Sequence, residues 1–139
     1  MLDTLWRKSF EVGHDKIDSE HKIFVSLISE IDQCVKAGRK MDRLFRLLNE
    51  VGKYAEFHFL SEENIMIDMD YPDYRRHAQI HAGLLRVYGD YINSLELGEA
   101  DLGQMLRFTL NWFSYHTLNE DSKIAEFLVA GRMPQRMRI

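Results

Sequence analysis

The amino-acid sequence predicts an all-α protein, an up-down-up-down antiparallel four-helix bundle with an N-terminal arm and a short C-terminal tail. Apolar residues recur at alternating steps of three and four along four segments, which is the pattern of a helix with one buried face. Only two prolines, Pro72 and Pro134, interrupt the 139 residues. The connections between the segments are short, so successive helices should be antiparallel neighbours. We therefore expect one domain over residues 1–139.

The first helix should follow an arm that spans residues 1–17. We predict this helix over residues 18–37, with Asp18 or Ser19 as its N-cap, because such side chains accept hydrogen bonds from the first free backbone N–H groups. Gly38 is a typical C-terminal stop. The predicted buried face contains Ile17, His21, Phe24, Ile28, Ile31 and Val35.

The second and third helices are separated by a break at Pro72. The second helix is predicted over residues 42–69 and ends before this proline, which disfavours helical geometry in the preceding residue. Asp73 or a neighbour should cap the third helix, which we predict over residues 73–96 and which ends at the turn around Gly98. The apolar stripes of these helices are interrupted by His58, Glu62, His77 and His81.

The fourth helix is predicted over residues 101–130. Asp101 should be its N-cap, and Gly131 with Pro134 should close it and begin the tail. The stripe of this helix includes His116 and Asp121. The basic residues of the tail are interpreted as a solvated chain end; they are Arg132, Arg136 and Arg138.

Charge and composition exclude several classes of protein. The formal net charge is −4, which argues against nucleic-acid binding because such proteins normally carry a basic face. No segment has the roughly 18 consecutive apolar residues of a membrane span, and the first residues do not resemble a signal peptide. The single cysteine, Cys34, cannot form an intrachain disulfide and fits a reducing compartment. We therefore expect a cytoplasmic protein with no membrane insertion and no nucleic-acid partner.

Polar residues interrupt the apolar stripes of all four predicted helices. Five of the six histidines lie on these stripes, together with two carboxylates. Each buried polar group without a partner would cost on the order of 1–3 kcal/mol, and an isolated charge would cost more. A metal site satisfies all these groups at once, so we favour it over a satisfied polar core. The candidate ligands are His21, His58, Glu62, His77, His81, His116 and Asp121.

Spacing within the helices supports this interpretation. His58 with Glu62, and His77 with His81, are four residues apart and therefore point the same way from their helices. His116 and Asp121 are five residues apart, which in a regular α-helix places them about 140° from each other. If both reach one site, the fourth helix should contain a π-bulge there.

The number of ligands indicates two metal ions. Seven protein ligands exceed the four of a tetrahedral zinc site, but they suit two six-coordinate ions that share bridging carboxylates. Five imidazoles then leave one terminal position open. Imidazole and carboxylate ligands together suit iron, manganese or cobalt better than calcium or magnesium.

The ligand motifs resemble those of the hemerythrins, and specifically the single-domain hemerythrins of bacteria. The resemblance runs from about Trp6 to Leu128 and fills every ligand position with the expected residue type. The motifs are Ile17-Asp18-x2-His21, His58-Phe59-x2-Glu62-Glu63-x2-Met66, Tyr71-Pro72-x4-His77-x3-His81 and Trp112-x3-His116-x4-Asp121.

The resemblance implies a non-haem di-iron centre, with two iron ions (Fe2+/Fe3+) joined by an oxo or hydroxo bridge. One iron would be fully ligated and the other would keep an open position for O2. The implied ligands are His77, His81 and His116 for the first iron, His21 and His58 for the iron with the open position, and Glu62 and Asp121 as bridges.

A small apolar O2 pocket is also implied by the resemblance. Trp112, Leu118 and Phe24 are predicted to line it, since each lies within about one helical turn of a ligand histidine; ordinary core packing is the alternative for these side chains. His14 should lie outside the ligand set, in a supporting or surface role. Glu63 is predicted to be solvated or paired with another helix.

The function that the resemblance implies is reversible O2 binding, in storage, transport or delivery to an oxygen-consuming enzyme. Such a protein is a binding module and not an enzyme. Two alternatives are an O2, redox or nitric-oxide sensor that acts through a separate signalling partner, and a di-iron peroxidase or oxidase. An iron store or a structural di-metal site would require the open position to be blocked. The lifetime of the oxygenated state distinguishes these functions.

Overall fold

A computed structural model describes residues 11–38 and 40–132, and within these ranges the chain is helical without any strand. Four helical rods form the predicted up-down bundle, and each rod packs against the next one along the chain. The fourth rod is continuous but contains a six-residue π-helical segment, here called the π-turn. The elements are α1 (Asp15–Lys36), α2 (Met41–Asp68), α3 (Tyr74–Glu96), α4 (Leu102–Tyr115), the π-turn (His116–Asp121) and α5 (Ser122–Arg132).

The first helix begins earlier than the sequence pattern predicts. Its N-cap is His14, whose Nδ1 accepts a hydrogen bond from the backbone N–H of Ile17 at 3.3 Å. Asp18 lies inside the helix and its carboxylate points backwards, where it accepts from the N–H groups of Val12 (2.7 Å) and Gly13 (3.2 Å). The predicted arm of 1–17 is therefore wrong for its last three residues, and residues 1–10 lie outside the described part of the chain.

The other helix boundaries differ from the predictions by at most two residues. Gly38 and Gly98 have φ values of 65° and 74°, the left-handed conformation that ends a helix. Asp101 caps α4 as predicted, with its carboxylate 3.0 Å from the N–H of Gln104. Asp73 precedes α3, but its carboxylate accepts from Arg76 Nη1 and caps no backbone group. The predicted stop at Gly131 is wrong, since α5 continues to Arg132; Pro134, Arg136 and Arg138 lie outside the described residues.

Two apolar clusters fill the interior of the bundle. The larger one contains Phe24, Leu48, Met105 and Phe113, and the smaller one contains Ile17, Met66, Tyr71 and Ile124. Val35 is 44% exposed, contrary to its predicted place in the core, and Cys34 is buried beside it instead. The polar ligand residues fall between the two clusters along three helices. They lie at His21 between Ile17 and Phe24, at Glu62 between Phe59 and Met66, and at Asp121 between Phe113 and Ile124.

The length and hydropathy of the described helices show whether any of them could cross a membrane. None of them combines the length and the apolar character that a bilayer-spanning helix requires.

Candidate metal centre

The predicted ligand residues converge in the middle of the bundle, and all of them are buried. Their side-chain nitrogen and oxygen atoms form two groups that share both carboxylates, and within each group the atoms lie within 4.8 Å of one another. The five-donor group contains His77, His81, His116, Glu62 and Asp121, and the four-donor group contains His21, His58, Glu62 and Asp121.

The five-donor group is formed by α3, the π-turn and one residue of α2. Nε2 of His77 lies 2.8 Å from Glu62 Oε1 and 3.2 Å from Asp121 Oδ1. Nε2 of His81 lies 3.0 Å from Glu62 Oε1 and 3.0 Å from Nε2 of His116. His116 Nε2 is 3.1 Å from Asp121 Oδ1. Three imidazole nitrogens and two carboxylate oxygens therefore face one common space.

The four-donor group uses the other oxygen of each carboxylate. Nε2 of His21 lies 3.1 Å from Nε2 of His58 and 3.1 Å from Asp121 Oδ2. Nε2 of His58 lies 3.4 Å from Glu62 Oε2. Each carboxylate thus offers one oxygen to either group, which is the arrangement of a bridging ligand.

These distances fit metal coordination better than a network of hydrogen bonds. Both oxygens of Asp121 and Oε2 of Glu62 are buried without a hydrogen-bond partner, although histidine nitrogens lie within 3.4 Å of them. These nitrogen–oxygen pairs are close enough for hydrogen bonds but do not have the geometry of one. The nitrogen and oxygen atoms instead face the space that each donor group shares. With metal–ligand bonds of about 2.1 Å, ligands at right angles stand about 3.0 Å apart, close to the separations in both groups.

The π-turn brings His116 and Asp121 to the same site, as the spacing predicted. In an i→i+5 turn, residues five apart lie above one another, whereas a regular α-helix would separate them. Two side chains support the wide turn from within its own rod. Asn119 donates to the carbonyl of Tyr115 at 2.9 Å, and Ser122 donates to that of Leu118 at 2.7 Å.

Electrostatic coupling in the metal-free cluster is strong. Burial lowers the pKa of His116, but electrostatic attraction to the neighbouring carboxylates of Asp121 and Glu62 outweighs burial and raises this pKa to about 10. Burial likewise opposes protonation of His58, yet the hydrogen bond to Glu20 and the attraction of Glu62 raise its pKa to about 9. Burial raises the pKa of Glu62, but hydrogen bonds from the surrounding histidines hold it well below its usual range. The cluster therefore favours ionised carboxylates next to positive charge. Protonated histidines or metal ions can supply that charge.

Two further carboxylates contact the Nδ1 atoms of candidate ligand imidazoles, on the side of the ring away from the donor groups. Glu20 is buried and lies 2.8 Å from Nδ1 of His58, and its other oxygen accepts from Ser61 Oγ at 2.9 Å. Glu63 lies 2.9 Å from Nδ1 of His81, so it pairs with another helix, one of its two predicted roles. Such partners fix the orientation of a ligand imidazole and raise its basicity. Glu20 was missed by sequence reasoning, although its three- and four-residue spacing from Ile17 and Phe24 places it on the buried face.

Aromatic side chains border the four-donor group. Phe113 lies edge-on to His21 with a 5.5 Å ring separation, and Phe24 stacks on Phe113 at 5.4 Å. Trp112 contacts Phe24 at 5.6 Å, and its indole Nε1 is buried without a hydrogen-bond partner. Phe59 stacks on His81 at 3.9 Å. Phe24 and Trp112 therefore belong to the aromatic cluster that reaches His21 through Phe113.

Leu118 does not join these aromatic residues, which corrects its predicted place in the pocket. Its side chain is 45% exposed, because the residues in the middle of the π-turn face away from the bundle while His116 and Asp121 face inwards. Phe113 occupies the buried position that sequence reasoning missed. Its spacing from Thr109 and His116, four and three residues, is the signal that could have identified it.

Comparisons with known proteins agree with this geometry. Residues 12–128 match the family described as the hemerythrin HHE cation binding domain. A bacteriohemerythrin of Clostridium acetobutylicum is 29% identical over 126 residues, which cover 84% of this chain and 95% of that protein. A bacteriohemerythrin of Pseudomonas aeruginosa is 28% identical over 123 residues, covering 88% of this chain and 79% of that protein.

The fold is also that of a solved hemerythrin. The crystal structure of a hemerythrin mutant superposes with a TM-score of 0.82 at 24% identity, over 92% of this chain and 98% of that one. The family match covers most of the sequence and includes every candidate ligand. This chain belongs to the hemerythrin family.

Proposed function

We propose that this protein binds O2 reversibly at a di-iron centre and acts as an O2 carrier, store or delivery protein. The observation that carries the proposal is the inequality of the two donor groups, which share both carboxylates but contain five and four protein donors. The ion in the smaller group is the one with room for an external ligand. The proposed ligands are His77, His81 and His116 for one iron, His21 and His58 for the other, and Glu62 and Asp121 as bridges.

The donor set suits iron. Imidazole with carboxylate is a usual ligand combination for this metal, and the unpartnered oxygens of Asp121 need a cation in their buried site. When bound, the two irons supply the electrons that reversible O2 binding requires. The protein holds the imidazoles in fixed tautomers, since Glu20 and Glu63 engage the Nδ1 atoms of His58 and His81.

The aromatic border of the smaller group suits a diatomic ligand. The buried Phe113 lies next to His21 and the buried Phe24 stacks on Phe113, and an apolar shell controls the access of solvent to a metal site. Exclusion of water from this side should slow irreversible oxidation of the iron. We therefore propose that Phe24, Trp112 and Phe113 line the O2 pocket.

The enclosed site favours binding of O2 without reaction of an organic substrate. The ligand residues are almost completely buried, whereas a cleft of about 700 Å³ opens elsewhere, beside Cys34. An organic substrate would have to displace the aromatic side chains to reach the ions. O2 is small enough to enter through local side-chain motion.

An optical titration tests the proposed function. The full chain is loaded with iron, its iron content is measured, and the anaerobically reduced protein is titrated with O2, which is then removed. We expect two irons per chain and visible absorption bands that appear with O2 and disappear on its removal. Direct conversion to a stable diferric spectrum would contradict a carrier and favour a redox sensor or a di-iron peroxidase or oxidase.

The bridging assignment predicts the iron content of two variants. Removal of either shared carboxylate in Glu62→Ala or Asp121→Ala takes one ligand from both ions at once, so the iron content should fall well below two per chain. Asp42→Asn is the control, because this residue is exposed and forms a surface pair with the equally exposed Arg46 at 3.6 Å. Retention of both irons in the two alanine variants would contradict the bridging roles.

A further inference from the structure

An ion pair outside the ligand set joins the π-turn to α3. Arg76 Nη1 lies 2.8 Å from Glu120 Oε2, and Arg76 Nη2 lies 2.9 Å from Glu120 Oε1. Each partner directly precedes a candidate ligand in the sequence, because His77 follows Arg76 and Asp121 follows Glu120. The pair therefore connects two backbone segments from which ligands of the five-donor group project.

The geometry of this pair fixes direction as well as distance. Two parallel N–H···O bonds between a guanidinium and a carboxylate hold both groups in one plane. The side chain of Glu120 is only 6% exposed, and Arg76 is the main group that compensates its charge. Arg76 is itself anchored at the start of α3, where Nη1 also donates to Asp73 Oδ2 at 2.9 Å.

The other polar contacts of the π-turn stay within the fourth rod. Asn119 and Ser122 bond to carbonyl groups four residues earlier, and Lys123 Nζ approaches Glu120 Oε1 at 3.7 Å. These contacts support the wide turn, but they do not tie it to a neighbouring helix. Among the polar side-chain contacts of the described π-turn that lie outside the ligand cluster, the Arg76–Glu120 pair is the one that crosses to α3.

We propose that Arg76 and Glu120 are positioning residues that hold the π-turn against α3 and so keep Asp121 between the two metal ions. Without this pair, the turn can relax towards the regular α-helical register, in which His116 and Asp121 lie about 140° apart. The carboxylate of Asp121 then no longer points to both donor groups. The inference rests on the proposed function, since it takes Asp121 as the bridge of a di-iron centre.

The rate of iron release tests this role. We compare the iron-loaded wild-type chain with Glu120→Gln, which keeps the shape of the side chain but removes its charge, and with Arg76→Lys, which keeps a charge but cannot form the two-bond contact. A strong chelator removes the iron, and the magnetic coupling between the two irons is measured in parallel. We expect release to be about 10–100-fold faster in both variants, with altered coupling, while the Asp42→Asn control matches wild type.

Wild-type release and coupling in Glu120→Gln would overturn the proposal. Full retention of wild-type behaviour in Arg76→Lys would overturn it as well, because a simple charge would then suffice. Faster release with unchanged coupling would also contradict it, since a merely structural role predicts that result.

A measurement on the metal-free chain separates this inference from the proposed function. Failure of the wild-type chain to hold two irons would contradict the proposed function and not the contact itself. Amide hydrogen exchange in the π-turn should still be faster in Glu120→Gln than in Asp42→Asn when no metal is bound. Equal exchange in these two variants would overturn the inference.

Discussion

Each carboxylate of the centre has two oxygens with different neighbours. Glu62 presents Oε1 to His77 and His81 and Oε2 to His58. Asp121 presents Oδ1 to His116 and Oδ2 to His21. An amide at either position would supply one oxygen and one N–H group, so it could offer an oxygen to only one of the two donor groups. Only a carboxylate can therefore present an oxygen to both donor groups from one side chain.

The candidate ligands could be selected from the sequence, but not all of their neighbours could. The ligands are polar residues on apolar stripes, which makes them conspicuous in the sequence. Phe113 is one apolar residue among many, and its contact with His21 depends on how α4 is rotated against α1. Leu118 was misplaced because its nearness to His116 in the sequence does not reveal which way the π-turn directs its side chain.

Substitutions of Phe113 and Leu118 should have different effects on autoxidation. Phe113→Ala removes an aromatic wall beside His21 and admits water, so irreversible oxidation of the reduced, iron-loaded protein should be about tenfold faster. Leu118→Ala alters an exposed side chain and should leave the rate within about twofold of wild type. The rate is measured optically in air, and Phe113→Leu, which keeps the site apolar, should fall between the two. A wild-type rate in Phe113→Ala, with both irons retained, would place Phe113 outside the pocket.

At the level of elements, the helices could be predicted from periodicity and the π-turn from the ligand spacing. Five residues between His116 and Asp121 fit one site only if the turn between them is widened, and this distortion is present. The start of α1 was not predictable in the same way. Asp18 has the chemistry of an N-cap, but its carboxylate instead accepts N–H groups from the preceding arm. Nor does the sequence reveal the Arg76–Glu120 pair, because it joins residues 44 positions apart.

The contact of Asp18 with the arm predicts a local loss of stability. Asp18→Ala would leave the N–H groups of Val12 and Gly13 without their acceptor, and Gly13 with φ of 93° would lose a contact that holds its left-handed conformation. We expect the free energy of unfolding to fall by about 1 kcal/mol, as for loss of an N-cap, with the iron content unchanged. Chemical denaturation measures the loss. An equal loss in Ser19→Ala, one of the two N-caps predicted from the sequence, would contradict this reading of Asp18.

On the scale of the whole molecule, a polar cluster divides the apolar interior into two parts. The larger part joins apolar residues of α1, α2, α3 and α4. In the polar cluster, by contrast, Oε2 of Glu62 and both oxygens of Asp121 are buried without a hydrogen-bond partner. Stability should therefore depend on which cations occupy the cluster, protons in the metal-free chain and iron in the loaded one.

This dependence predicts how pH affects the metal-free chain. His58 and His116 have pKa values raised from 6.5 to about 9 and about 10 in the folded protein. Between about pH 6.5 and 10 the folded chain binds more protons than the unfolded chain, so stability falls as pH rises. Below pH 6.5 this contribution is fully present. The pKa of Glu62 is lowered from 4.5, so the stability that this carboxylate contributes is lost as pH falls below that value. Stability of the metal-free chain should therefore be highest between about pH 4.5 and 6.5.

Urea denaturation of the metal-free and iron-loaded chains across this pH range tests the prediction. We expect the free energy of unfolding of the metal-free chain to fall steadily between pH 6.5 and 10 as the two histidines lose their protons. The loaded chain should lose little over the same interval, because iron replaces the protons that the two histidines would release. Its stability should instead fall under acidic conditions, where protons compete with iron for the ligands. A flat profile in the metal-free chain would mean that His58 and His116 are already neutral near pH 6.5, and the carboxylates of the cluster would then not attract cations as strongly as their burial indicates.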